Sequence, residues 1–124
     1  MKEMVLLFCA PKHDELLKMQ KALFPLKIRL KKVEKEDYNQ PLGALADVRD
    51  IPRVSGEYTG EELSDTLLVF AGMSSSRLDQ VLAALRRCGA GPFPYKAVLT
   101  DTNQYWNAAD CFEEIRKEHE AMHS

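Results

Sequence analysis

The stretch Thr66–Cys88, TLLVFAGMSSSRLDQVLAALRRC, changes its hydrophobic period at Gly72. Thr66 to Ala71 is a continuous apolar run with the length of a strand covered on both faces. Beyond Gly72 the apolar residues Leu78, Val81, Leu82, Leu85 and Cys88 recur at three- and four-residue steps. That spacing predicts an amphipathic helix from about Ser75 to Cys88, with Gly89 as its terminator. A strand feeding directly into a helix is the unit from which α/β domains are built.

The same reading extends outward. Met4 to Cys9 (MVLLFC) is a second continuous apolar run, bounded by Pro11. From His13 the pattern turns helical through Leu16, Met19 and Leu23, and Pro25 stops it. Lys27 to Val33 predicts a more polar strand near an edge, with Ile28, Leu30 and Lys32 on one face and Arg29, Lys31 and Val33 on the other. Aligning Phe8 with Phe70 brings Leu16 onto Leu78, Met19 onto Val81, Ala22 onto Ala84 and Leu23 onto Leu85, so the halves echo one another. Tyr95 to Thr100 (YKAVLT) predicts a fourth strand, and Asn107 caps a final helix with Asp110 placed to complete a capping box. Between the halves, Gln40 to Val48 predicts two helical turns with Pro41 in the first. Pro52, Gly56 and Gly60 then punctuate an irregular loop.

These elements predict a single α/β domain over residues 1–124. Its four-stranded sheet is expected to be mostly parallel, with helices on both faces and the order strand-helix-strand-helix repeated twice. The alternative is an α+β ferredoxin-like split βαβ sandwich, in which the second and third strands pair antiparallel; no hairpin turn is visible between them.

Composition narrows the function. At 124 residues, 45% hydrophobic and 29% charged, with a formal charge of −2, the chain has the material for one core and not the charge excess of a disordered segment. The balance argues against nucleic acid as a partner, since binding through counterion release needs a basic face. The cluster Lys27, Arg29, Lys31, Lys32 and Lys35 reads as edge-strand protection, with an anionic partner as the alternative. Cys9, Cys88 and Cys111 form no disulfide framework and no zinc knuckle. The first apolar run gives way at once to Pro11, Lys12, His13, Asp14 and Glu15 without a cleavage pattern, so it reads as a strand rather than a leader. No run approaches the ~18 apolar residues of a membrane span. A cytoplasmic chain, monomeric or homodimeric, with no membrane partner is the expectation.

Candidate chemistry is sparse. His119-Glu120-Ala121-Met122-His123 spells the H-E-x-x-H zinc pattern. Only Ser124 follows it, however, and His119 continues the apolar stripe of Ala108, Phe112, Ile115 and Met122. It reads as a packing histidine, and no metal or other cofactor is expected. Cys9 lies four residues before His13, but no third group orients such a pair, and buried cysteines are commonly inert. The stretch Lys96 to Asn107 crowds polar, turn-forming and aromatic side chains immediately after the fourth strand, including Trp106, the single tryptophan.

Three segments carry a resemblance. Gln40-Pro41-Leu42-Gly43-x-Leu45, the strand and helix around Leu68–Arg86, and Lys96-Ala97-Val98-Leu99-Thr100-x-x-Asn103-x-x-Trp106, followed by Glu118-His119, together resemble a family of small bacterial proteins known only as a domain of unknown function. The chain departs from it with Ala44 in place of an aromatic residue and Asp47 in place of a glycine. The resemblance implies no activity, substrate or cofactor.

In a parallel sheet the ends of the first, third and fourth strands share one edge, where open α/β sheets place ligands. That edge would gather Lys12, His13, Ser74, Ser75, Ser76, Thr100, Thr102, Asn103 and Trp106. Serines opening a helix favour an anion. The expected role is therefore a noncatalytic binding or regulatory domain for a small phosphate- or carboxylate-bearing molecule, with Trp106 and Ser74 in one pocket. An enzyme using His13 or Asp101 as base, and an interaction module docking through the basic strand or the final helix, are the alternatives.

Overall fold

In the computed structural model, which describes residues 2–123 apart from the side chain of His123, the two continuous apolar runs lie side by side at the centre of a four-stranded sheet. The strands are β1 (Met4–Phe8), β2 (Arg29–Lys32), β3 (Leu67–Ala71) and β4 (Tyr95–Val98), in the order β2-β1-β3-β4. Every residue of β1 and β3 is buried, as a run without polar alternation requires. The helices are α1 (His13–Leu23), the single turn α2 (Leu42–Leu45), α3 (Ser75–Arg87) and α4 (Ala108–His123). None of them is long and apolar enough among the described residues to cross a membrane.

The sheet is mixed and mostly parallel. β1 pairs parallel with β2, and β3 pairs parallel with β4. The central pair is antiparallel, with Met4 opposite Ala71 and Phe8 opposite Leu67. The mostly parallel sheet is as expected, but the antiparallel centre corrects the expectation that the ends of the first, third and fourth strands share one edge, and the ferredoxin-like alternative is excluded because β2 and β3 are not neighbours. The cause lies in the connection. Each parallel pair is joined by a helix that returns the chain along the length of the sheet. Between β2 and β3 the only α-helix is the one-turn α2, so the chain stays at the end of the sheet where β2 finished and enters β3 from there.

Alternation in the strands divides the core into two layers. Val5, Leu7, Leu68 and Phe70 meet Met19 and Leu23 of α1 and Val81 and Leu85 of α3. Met4, Leu6, Phe8, Leu67 and Val69 meet Tyr38, Leu42 and Leu45 and, from α4, Cys111 and Phe112. The helices thus cover both faces.

The internal echo is real in its helices and shifted in its strands. Met19 and Val81, and Leu23 and Leu85, occupy equivalent places. In the sheet, however, Val5 corresponds to Leu68 and Leu7 to Phe70, not Phe8 to Phe70, because four residues separate β1 from α1 and three separate β3 from α3. A one-residue slip sends a strand side chain to the other face, and Phe8 does lie in the opposite layer from Phe70. Cys9 and Gly72, the residues following the two strands, share a left-handed backbone with φ of 54° and 75°. The two units are locked by Arg77. Its guanidinium donates to both carboxylate oxygens of Glu3, at 2.9 and 3.1 Å, and to the Leu26 carbonyl at 2.6 Å.

Candidate functional site

The antiparallel centre separates the residues expected at one edge. Lys12 and His13 are exposed where β1 finishes, which is the end at which β3 begins. Ser74 to Ser76 and Thr100 to Trp106 follow the far ends of β3 and β4. Ser74 caps α3, its hydroxyl accepting the Arg77 amide at 3.2 Å and lying 3.3 Å from the Ser76 hydroxyl. Its helix covers one face of the sheet, whereas Trp106 packs half-buried against the core of the other.

The polar loop after β4 is satisfied from within. Asn103, almost fully buried, accepts the Thr100 amide at 2.8 Å through Oδ1 and donates to the Val98 carbonyl at 2.9 Å through Nδ2. Its own amide donates to the Thr100 hydroxyl at 3.1 Å. Thr102 is exposed. The turn so formed presents the Trp106 carbonyl to the Leu42 amide at 2.8 Å. A side chain at Gly43 would meet Ile51 at 2.6 Å and the Gln104 carbonyl oxygen at 3.0 Å. Two of the segments that carry the resemblance therefore dock on one another, with Gly43 required by the close approach and Asn103 by the hydrogen bonds of the turn.

The cavity of interest lies elsewhere. α3 packs against β1 and β3 on one side of the sheet, whereas the helix packed against β4 is α4, on the opposite side. A cleft of about 560 Å³ opens on the α3 side. Leu68 lines it from β3, Leu82 and Leu85 from α3, and Ala90, Pro92, Phe93 and Pro94 from the following loop. Gly91 adopts φ of 87°, and a side chain there would run into the Phe93 ring at 3.0 Å. Arg86 and Lys96 are its charged residues, and no acidic residue is among the described lining. Lys96 Nζ donates to the Phe93 carbonyl. None of the nine expected site residues lines this cleft. The signal available in the sequence was the loop Gly89–Pro94 (GAGPFP), an aromatic residue between two prolines beside a predicted helix end. A second groove, between α1 and α3, mixes Asp79 and Arg87 over small residues and gathers no single charge.

Burial pushes the Cys9 thiol up, with the nearby Glu62 and Asp65 carboxylates adding to it. The Cys9 thiol lies 3.5 Å from the Leu63 carbonyl oxygen. Burial raises Cys111 to about 12 and, with a hydrogen bond to Glu62, raises Tyr38 well above the usual phenol range. Tyr38 accepts the Cys9 amide at 2.7 Å on its hydroxyl. These are features of a closed core. The His119 ring packs edge-on against Tyr95 at 5.2 Å. No group of three or more His, Cys, Asp or Glu among the described residues could hold a metal ion, and the side chain of His123 lies outside them.

Residues 66–122 match the model of a family described as a domain of unknown function (DUF3783). The matched segment runs from β3 into α4 and contains every residue lining the cleft. No curated protein and no solved structure matches the chain.

Proposed function

We propose that the chain is a noncatalytic binding domain whose site is the cleft between α3 and β4, and that it takes a ligand with an apolar body and an anionic group. The observation that carries this reading is the lining itself. Its volume, about 560 Å³, lies within the range of small-molecule sites, which are mostly apolar with a few polar groups that fix orientation. Here those groups are Arg86 and Lys96, unopposed by any carboxylate in the described lining. An anion bound between them would gain charge-assisted hydrogen bonds. Binding rather than catalysis fits because the described lining of the cleft offers no imidazole, carboxylate or thiol to move a proton or attack a bond.

Calorimetric titration with 4-phenylbutyrate, set beside the uncharged 4-phenylbutanol, tests the reading. The carboxylate should bind more tightly than the alcohol, and Arg86→Gln should remove that advantage. Equal affinity for the two compounds, or an advantage that survives Arg86→Gln, contradicts it.

A further inference from the structure

The backbone of β4 adds an observation that the cleft alone does not contain. β4 is an edge strand. In its parallel pairing with β3, Leu99 donates its amide to the Phe70 carbonyl at 2.9 Å. The alternation of a parallel ladder then turns Tyr95, Ala97 and Leu99 toward β3, and Lys96 and Val98 outward. One outward group is already closed, because Asn103 donates to the Val98 carbonyl at 2.9 Å. Among the described residues the amide and carbonyl of Lys96 and the amide of Val98 have no partner along the edge. The side chains of these same two residues stand on the face that carries the cleft, and Val98 is 46% exposed.

We propose that the occupant of the cleft is an extended acidic peptide segment of a partner protein, which adds to the sheet as a fifth strand along β4. This rests on the cleft being the binding site. A strand laid on this edge would pair with the three open backbone groups and present every second side chain to the cleft, the division of labour by which added strands gain affinity and specificity. Leu82, Leu85 and Phe93 receive an apolar side chain, and Arg86 and Lys96 receive a carboxylate. Charge selects this occupant over a second copy of the chain. From Ser75 to Val98 the basic residues are Arg77, Arg86, Arg87 and Lys96 against the single acid Asp79, and Arg77 is already paired with Glu3. Two β4 edges brought together would oppose these like charges. They would also require the Val98 carbonyl that Asn103 occupies.

The test is a random 12-residue peptide library displayed on phage, selected on the full chain, with the enriched peptides synthesised and their affinities measured. The discriminating variant is Val98→Pro. It deletes an outward amide and no ladder bond, and it lies outside the cleft lining, so proline on this edge is tolerable. The enriched peptides should be apolar with Asp or Glu. Val98→Pro, with its melting temperature checked, should weaken them about three- to tenfold, the worth of one hydrogen bond, while leaving 4-phenylbutyrate binding unchanged. If 4-phenylbutyrate binds but no peptide binds below about 100 μM, or peptides ignore Val98→Pro, the strand-addition inference falls and the cleft reading stands. If neither compound class binds, both fall. Should Val98→Pro unfold, peptides N-methylated on alternate residues serve instead. Unchanged affinity in both methylation registers overturns the inference, and loss in one register upholds it.

Discussion

Asn103 Nδ2 donates to the Val98 carbonyl at 2.9 Å, so a side chain completes the outer edge of β4 where the strand ends. Its Oδ1 holds the Thr100 amide at 2.8 Å, and the two bonds together act as a short substitute strand. Asn103→Ala would leave both backbone groups without their partner. The expected loss is about 1–3 kcal/mol, from two part-buried bonds each worth about 0.5–1.5 kcal/mol net, and urea denaturation measures it. A loss below about 0.3 kcal/mol would show that water replaces the amide without penalty.

Gly43 sets the distance between α2 and the turn before Trp106. Gly43→Ala would drive a methyl group to within 3.0 Å of the Gln104 carbonyl oxygen and 2.6 Å of Ile51. Ile51 can rotate away, but the backbone oxygen cannot. Overpacking of this kind typically costs about 1–3 kcal/mol. A melting temperature equal to that of the wild type would mean that the two elements separate freely.

Asp47 adopts φ of 60°, and this is the position at which the resemblance led us to expect glycine. A left-handed backbone costs ordinary L-residues roughly 1–2 kcal/mol, and aspartate tolerates it better than most. Asp47→Gly should therefore be neutral or stabilising by less than about 1 kcal/mol, and Asp47→Val destabilising by about 1–2 kcal/mol. The reverse order in chemical denaturation would contradict the backbone assignment.

Cys111 predicts an alkaline loss of stability. Burial raises its thiol from 9.0 to about 12. Below pH 9 the thiol is protonated whether the chain is folded or not, and it contributes no pH dependence. Above pH 9 the unfolded chain ionises while the folded chain keeps its proton. Stability therefore falls as pH rises toward 12, by up to about 1.4 kcal/mol per unit. Cys111→Ala should flatten this slope between pH 9 and 10.5 in urea midpoints, whatever it costs at pH 7. An unchanged slope would mean that the thiol ionises normally in the folded state.

Much of this fold was legible because burial leaves a periodic trace. The runs around Val5 and Val69, the stripe of Val81 and Leu85 and the cap at Asn107, whose Oδ1 accepts the Asp110 amide at 2.9 Å, all follow from local spacing. The direction of β3 was not legible. Alternation says which side chains share a face, and it reads the same for a strand run either way. The segment between β2 and β3 was obscure because its order comes from distant partners. Gln40 clamps Val54 by accepting its amide at 2.7 Å and donating to its carbonyl at 2.8 Å, and no periodicity announces such a bond. Lys31 likewise closes α2 by donating to the Leu45 carbonyl at 2.7 Å. Of the expected site, Ser74 and Asn103 serve as the capping and turn residues that their chemistry also allowed. The cleft leaves no trace in the local pattern because it arises between elements distant in sequence, with Leu68 on one wall and Pro92 to Pro94 on another. Leu82, expected in the core, is half-buried and lines it.

The central claim is that the chain binds its ligand between α3 and β4. A backbone amide shift map of the nitrogen-15-labelled chain during titration with 4-phenylbutyrate tests it most directly. Saturable shifts should concentrate at Leu82, Leu85, Arg86, Ala90, Phe93 and Lys96. Shifts gathered instead at Ser74–Ser76 or Thr100–Trp106, or none at any concentration, would contradict the account.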